Sequence, residues 1–304
     1  MAAQQLAITH PSAEERDRIM ISPSHKSLDL IRAKSIDGPV IQSLDDWSKL
    51  APPMQKEKHW KNFRSAKELA QAWLRDGVPS MPIEYVELLR SHKDTTGFKP
   101  TVGIAEAEIK IDEFGGPRNS DMVIIGNVRE MQILLAVEAK ADEEFAKPIA
   151  DELKGLTAPS NKPDRVRRLA AGVLNRSVDS HVESLRYQLL HALAATAIEA
   201  KKHQAKLGIL LIHEFISLTL DFEKVTRNSN DLKAFIQTVP GWQDADLSTG
   251  KLLPSITLPG NRHIPSDQYV TIGKVRTLLP LKSGDRQSPA VGFDKKCRQF
   301  LAEY

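Results

Sequence analysis

SDMVIIGNVREMQILLAVEAK, residues 120–140, is the stretch on which the fold turns. Met122 to Ile125 and Ile133 to Val137 are β-branched and aliphatic runs of strand length, separated by the polar segment Gly126-Asn127-Val128-Arg129-Glu130. That pattern predicts a hairpin whose two strands are apolar enough to lie inside a sheet. Side chains alternate along a strand, so Glu138 and Lys140 share a face. If the chain reverses about Arg129 and Glu130, Asp121 comes opposite Glu138, because 121 + 138 equals 129 + 130. Opposed residues have Cβ atoms roughly 5 Å apart. Two carboxylates and a lysine are thus expected together at one edge of a sheet.

Carboxylate oxygens suit a hard cation such as Mg²⁺, which keeps several waters and takes one or two carboxylates. A lysine beside such a metal can orient an attacking water and offset phosphate charge. The arrangement of Asp121, sixteen intervening residues, then Glu138-Ala139-Lys140 resembles the PD-(D/E)XK nuclease superfamily, the restriction-endonuclease-like proteins. The proline of that name is missing, since Asn119-Ser120 precede Asp121. Val137-Glu138-Ala139-Lys140, Asp142-Glu143, Phe145 and the later Arg186-Tyr187-Gln188-Leu189-Leu190-His191 are similar to an uncharacterised bacterial family within that superfamily. The resemblance spans about residues 65–215. It implies a metal-dependent nuclease, most simply a DNA endonuclease, using Mg²⁺ or Mn²⁺ held by Asp121 and Glu138. Lys140 would act on the water, and Gln188 would lie near the site from the following helix. It further implies that a glutamate on the helix before the first strand, Glu87 or Glu84, can join the metal site.

Outward from the hairpin, the chain reads as helix, strand, strand, strand, helix, strand. Ser65-Ala66-Lys67-Glu68 is a capping box opening a helix that stops at Gly77. Pro82 suits the first turn of a second helix. Thr101 to Asp112 alternates, with Glu106, Glu108, Lys110 and Asp112 on one face, and predicts a half-exposed strand. Glu108 and Glu106 are therefore further acidic candidates. Ser180-His181-Val182-Glu183 is a second capping box, opening a helix to about Lys202, and Leu207 to Phe215 is a buried strand by composition. The segment 161–176, with Arg165, Arg167 and Arg168, predicts a helix with a cationic side and supplies the expected phosphate contacts.

The expected fold is α/β: a restriction-endonuclease-like mixed central sheet with an αβββαβ core, flanked by helices. An irregular N-terminal arm (1–64) with a short helix at Ser43 to Leu50 precedes a core (65–222). A small β-rich C-terminal appendage (223–304), turn-rich from Glu223 and ending in a short helix, covers one edge of the sheet.

With 304 residues, 41% hydrophobic and 27% charged, the chain can bury a sizeable core. Its net charge of +3 permits nucleic acid as a partner without demanding it. One cysteine, Cys297, excludes an internal disulfide and a cysteine-based zinc site. Met1 to Ile8 does not read as a signal peptide, and no apolar run approaches the roughly 20 residues of a membrane span. A cytoplasmic location without membrane association is the expectation, and assembly as a homodimer or in a larger defence or repair complex is compatible with it. His213-Glu214 lacks the second histidine of a zinc-protease helix, and neither a P-loop nor a GxSxG elbow is present. A catalytically inactive nucleic-acid-binding or partner-binding subunit of the same fold is the alternative.

Overall fold

A computed structural model describes residues 31–280 apart from 55, 76, 155, 157–159 and 218–221. Cys297, the first 30 residues of the N-terminal arm and the expected terminal helix lie outside the described residues. Among the described residues a nine-stranded mixed sheet forms the centre, in the order β2-β1-β3-β4-β5-β6-β9-β7 with β8 also on β9. Its strands are β1 (Ile31–Ala33), β2 (Val40–Ile41), β3 (Lys99–Ile109), β4 (Arg118–Val128), β5 (Met131–Lys140), β6 (Leu207–Ile216), β7 (Lys251–Leu252), β8 (Ile256–Thr257) and β9 (Tyr269–Leu278). The principal helices are α1 (Leu44–Leu50), α2 (Ser65–Trp73), α3 (Ile83–Arg90), α4 (Lys162–Leu169), α5 (Tyr187–Lys202) and α6 (Phe222–Thr238). No helix among the described residues is long and apolar enough to cross a membrane.

The hairpin forms in the register that the sequence sets. Pairs run from Met122↔Val137 to Val128↔Met131, each summing to 259, and Arg129 takes φ +53 in the two-residue turn. β6 lies parallel to β5, and β9 parallel to β6. Parallel neighbours need crossover connections, and these carry α4 and α5 in the first case and α6 in the second. The sheet is covered on both faces. One core packs α4, α5 and α6 against Leu134, Ala136, Leu210 and Ile212. The other packs α1, α2 and α3 against Ile133, Leu135, Val137 and Leu211.

This double cover explains why β6, LGILLIHEFI, is buried along its whole length. Gly208 lets α5 approach it: a Cβ there would stand 2.9 Å from the Ala200 Cβ. Leu211→Ala empties a fully buried position. It is expected to lower the unfolding free energy by about 2–5 kcal/mol, read as a lower denaturant midpoint with unchanged slope.

Five expectations need correction. The arm is not irregular throughout, because β1 pairs parallel with β3 and β2 completes the edge. The C-terminal segment is more than an appendage: residues 222–238 form a five-turn helix, and β9 is a ten-residue strand along β6. Strand β3 is buried on both sides over Val102 to Ala107, since helices cover both faces and β1 covers its edge. The Ser65 capping box is half made. Glu68 accepts the Phe63 amide at 2.6 Å, but the Ser65 hydroxyl donates to Glu143 at 2.6 Å. The second box is replaced by Asp179, which caps a short helix at Ser180–Ser184. The chain breaks from helix at Leu185 and Arg186, where it pairs with Lys147 to Ile149, and α5 starts only at Tyr187.

Candidate active site

The site is built on a local irregularity between β3 and β4. Glu106 takes φ +49, a conformation uncommon for a residue with a side chain. The ladder between β3 and β4 passes from Ala105↔Met122 to Ala107↔Ser120, leaving Glu106 and Asp121 unpaired between them. Both steps sum to 227, so the register is kept while the faces invert. Ala105 and Met122 pack into the core beneath α2 and α3, whereas Ala107 and Ile109 pack into the core beneath α4 and α5. Arg118, opposite Ile109, is thereby turned toward Glu138.

Glu138 is the hub. It is 2% exposed and accepts from Arg118, from Lys140 Nζ at 2.9 Å and from Gln188 Nε2 at 2.5 Å. Gln188 sits in the first turn of α5, and its Oε1 accepts the Ala146 amide at 3.0 Å. The break at Leu185-Arg186 therefore has a purpose in geometry: it starts α5 where Gln188 can span from the 145–146 loop to Glu138. Lys140 lies over the Phe145 ring, 5.4 Å from its centre. Asp121, half-buried, accepts the Ala139 amide on Oδ2 at 2.7 Å. Glu106 is buried beside Asp121 and Asn119.

The carboxylates are not alike. Burial, followed by the charge of Asp121, pushes Glu106 up to about 9, so it carries a proton at neutral pH. Burial and the charge of Glu138 raise Asp121 to about 7, against the opposing pull of Lys140. Lys140 is shifted upward although burial alone would lower it, because Glu138 and Asp121 together outweigh the burial. A cluster whose acids resist ionisation can relieve that strain by taking up a cation.

Asp121, Glu138, Lys140 and Gln188 thus come together as the sequence implies. Glu106, weighed beside Glu108, is the acid that joins them. Glu108 does not: its side chain is 43% exposed and pairs with Lys34 at 3.3 Å. Glu87 does not either, because α3 packs on the opposite face of the sheet with Glu87 exposed. Glu84 is engaged elsewhere, accepting from the Thr277 hydroxyl at 2.6 Å. Arg118 was hidden to sequence reading, since plain alternation sends it to the other face. His191, one turn beyond Gln188, stacks on Tyr187 and is held neutral, down to about 3, by burial and then by Arg118.

The expected phosphate contacts divide. Arg165 makes a bidentate pair with Asp112 at 2.7 and 2.8 Å, which ties α4 to the end of β3. Arg167 pairs with Asp164 on an exposed turn. Arg168 pairs with Glu113 and lies over the Phe114 ring at 4.7 Å.

Fit to a divalent cation is partial. Among the described residues no three acidic or histidine side chains stand ready to hold a metal ion by themselves. The donor chemistry nevertheless suits Mg²⁺ or Mn²⁺: hard carboxylate oxygens of Asp121 and Glu138, with no softer ligand in the set. A family model described as a domain of unknown function (DUF6946) matches residues 40–277. No curated protein and no solved structure matches the chain.

Proposed function

We propose, for a chain that belongs to the DUF6946 family and inherits no activity from that description, a metal-dependent nuclease of the PD-(D/E)XK type acting on DNA. The observation that carries the reading is the convergence of Asp121, Glu138 and Lys140 on one face at the irregularity of β3 and β4. The order α3, β3-β4-β5, α5, β6, with β6 parallel to β5, supports a restriction-endonuclease-like core.

Asp121 and Glu138 would hold the metal. A bound Mg²⁺ supplies Lewis-acid polarisation of the phosphate and a more acidic water. Lys140 keeps its proton, so its work is to orient the nucleophilic water and balance phosphate charge. Gln188 fixes the rotamer of Glu138, and Arg118 neutralises that carboxylate in the resting protein. Arg167 and Arg168 of α4 would meet backbone phosphates in a salt-sensitive way, exchanging their pairs with Asp164 and Glu113. A cytoplasmic protein working on chromosomal or invading DNA fits this chemistry.

One observation favours a second reading, an inactive binding subunit. Both Glu138 oxygens are already engaged, by Arg118 on one side and by Lys140 and Gln188 on the other. The readings part in a cleavage assay on supercoiled, linear and single-stranded DNA and on RNA, at low salt with Mg²⁺ or Mn²⁺. Metal-dependent cleavage of any DNA form supports the nuclease; DNA binding with no cleavage under either metal favours the subunit. In the same assay Glu108→Ala and Glu87→Ala are expected to stay within about twofold of wild type, since neither side chain reaches the cluster.

A further inference from the structure

On the same face of the sheet, two strands from Glu138, a cavity opens. Lys274 of β9 aligns with Ile212 of β6, and Ile212 aligns with Glu138 of β5. Two strand spacings put the two backbones roughly 10 Å apart. The cavity encloses about 600 Å³ between α6 and the 245–249 loop, within the range of small-molecule sites. Its α6 wall presents Ser229, Leu232, Lys233 and Ile236, the three- and four-residue spacing of one helix face. Leu247 and Thr249 face them from the loop.

Two observations point to a ligand. The floor is Lys274, a lysine 3% exposed whose Nζ stands 3.2 Å from Glu214 Oε1. From opposite walls, Ser229 Oγ and Thr249 Oγ1 are buried with no hydrogen-bond partner among the described residues. Buried hydroxyls are normally satisfied, so two unpartnered ones on the walls of one cavity are donors available to a ligand. Lys233 stands exposed at the rim. Nothing in the proposed cleavage chemistry uses any of these groups.

We infer that this cavity binds a small organic anion. Its carboxylate or phosphate oxygens accept from Lys274 and from the hydroxyls of Ser229 and Thr249, and its apolar body lies along Leu232, Ile236 and Leu247. The inference stands apart from the nuclease reading, because its test measures binding alone.

Three probes separate the chemistries on the full-length protein by calorimetric titration: adenosine 5′-monophosphate, benzoate and inorganic phosphate. One organic probe is expected to bind with one-to-one stoichiometry and to raise the melting temperature, and which one does so tells phosphate ester from carboxylate. Ser229→Ala/Thr249→Val should weaken it at least tenfold without lowering the melting temperature of the free protein. Ile236→Trp, which fills the cavity from α6, should abolish it. Binding of neither organic probe at millimolar concentration overturns the inference and leaves the hydroxyls to ordered water. Binding of an organic probe that survives both sets of substitutions overturns it equally, as does binding of inorganic phosphate alone.

Discussion

Lys140→Met and Asp121→Asn are each expected to lower metal-dependent cleavage of DNA by about 100- to 1,000-fold, the usual cost of one preorganised electrostatic group. The two substitutions act differently. Methionine keeps the stem over Phe145 but removes the ammonium 2.9 Å from Glu138. Asparagine can still accept the Ala139 amide but carries no charge for a metal. Lys140→Met should therefore reduce turnover with little change in the Mg²⁺ concentration needed, whereas Asp121→Asn should raise that concentration. Because Lys140 is shifted upward, no ionisation of Lys140 should appear in the rate profile between pH 6 and roughly its ordinary value. Cleavage that persists in both variants would remove this cluster from the chemistry.

Glu138→Ala carries the largest expected change in stability. It strips the shared partner from Arg118 and Lys140, which are 6% exposed each. Removing one side of a buried ion pair typically costs about 3–5 kcal/mol, because the remaining charge stays buried. Glu106 behaves in the opposite sense. Its carboxyl titrates near 9 in the fold against 4.5 unfolded, and that of Asp121 near 7 against 3.8. A raised acid contributes stability that is complete below its unfolded value and is lost as pH rises through its folded value.

The metal-free protein should accordingly lose stability between about pH 4 and 9, and Glu106→Gln should flatten the upper part of that decline. Asp121 is shifted less than Glu106, so its share of the slope is the smaller. Since Mg²⁺ would bind the ionised carboxylates, adding it should raise the melting temperature more at pH 9 than at pH 5. A melting profile with no dependence on pH across this window would mean that Glu106 is solvated. Each change of about 1 kcal/mol is worth roughly 2–4 °C in a domain of this size.

Much of the site was legible in the hairpin. Strands of period two with a fixed turn determine register by arithmetic, and the pairing sum of 259 follows from where Arg129 and Glu130 fall. The buried strand at Leu207 and the helix carrying Gln188 were likewise local matters, decided by composition and by apolar spacing. The α6 helix was missed because Asn228, Ser229 and Asn230 read as turn residues. Its apolar residues Leu232, Phe235 and Ile236 are held helical by the core they complete.

What the sequence by itself determined is the meeting of Asp121, Glu138 and Lys140, since strand alternation and hairpin register are properties of adjacent residues. Only the tertiary structure decided which other groups join them. Glu106 rather than Glu108 reaches the cluster because β3 inverts its faces at a positive φ, and the same inversion turns Arg118 inward. Gln188 reaches Glu138 because a long-range pairing of Arg186 with Pro148 halts the preceding helix. Both events depend on residues far apart in the chain, whose contacts outweigh the local preferences that a sequence displays.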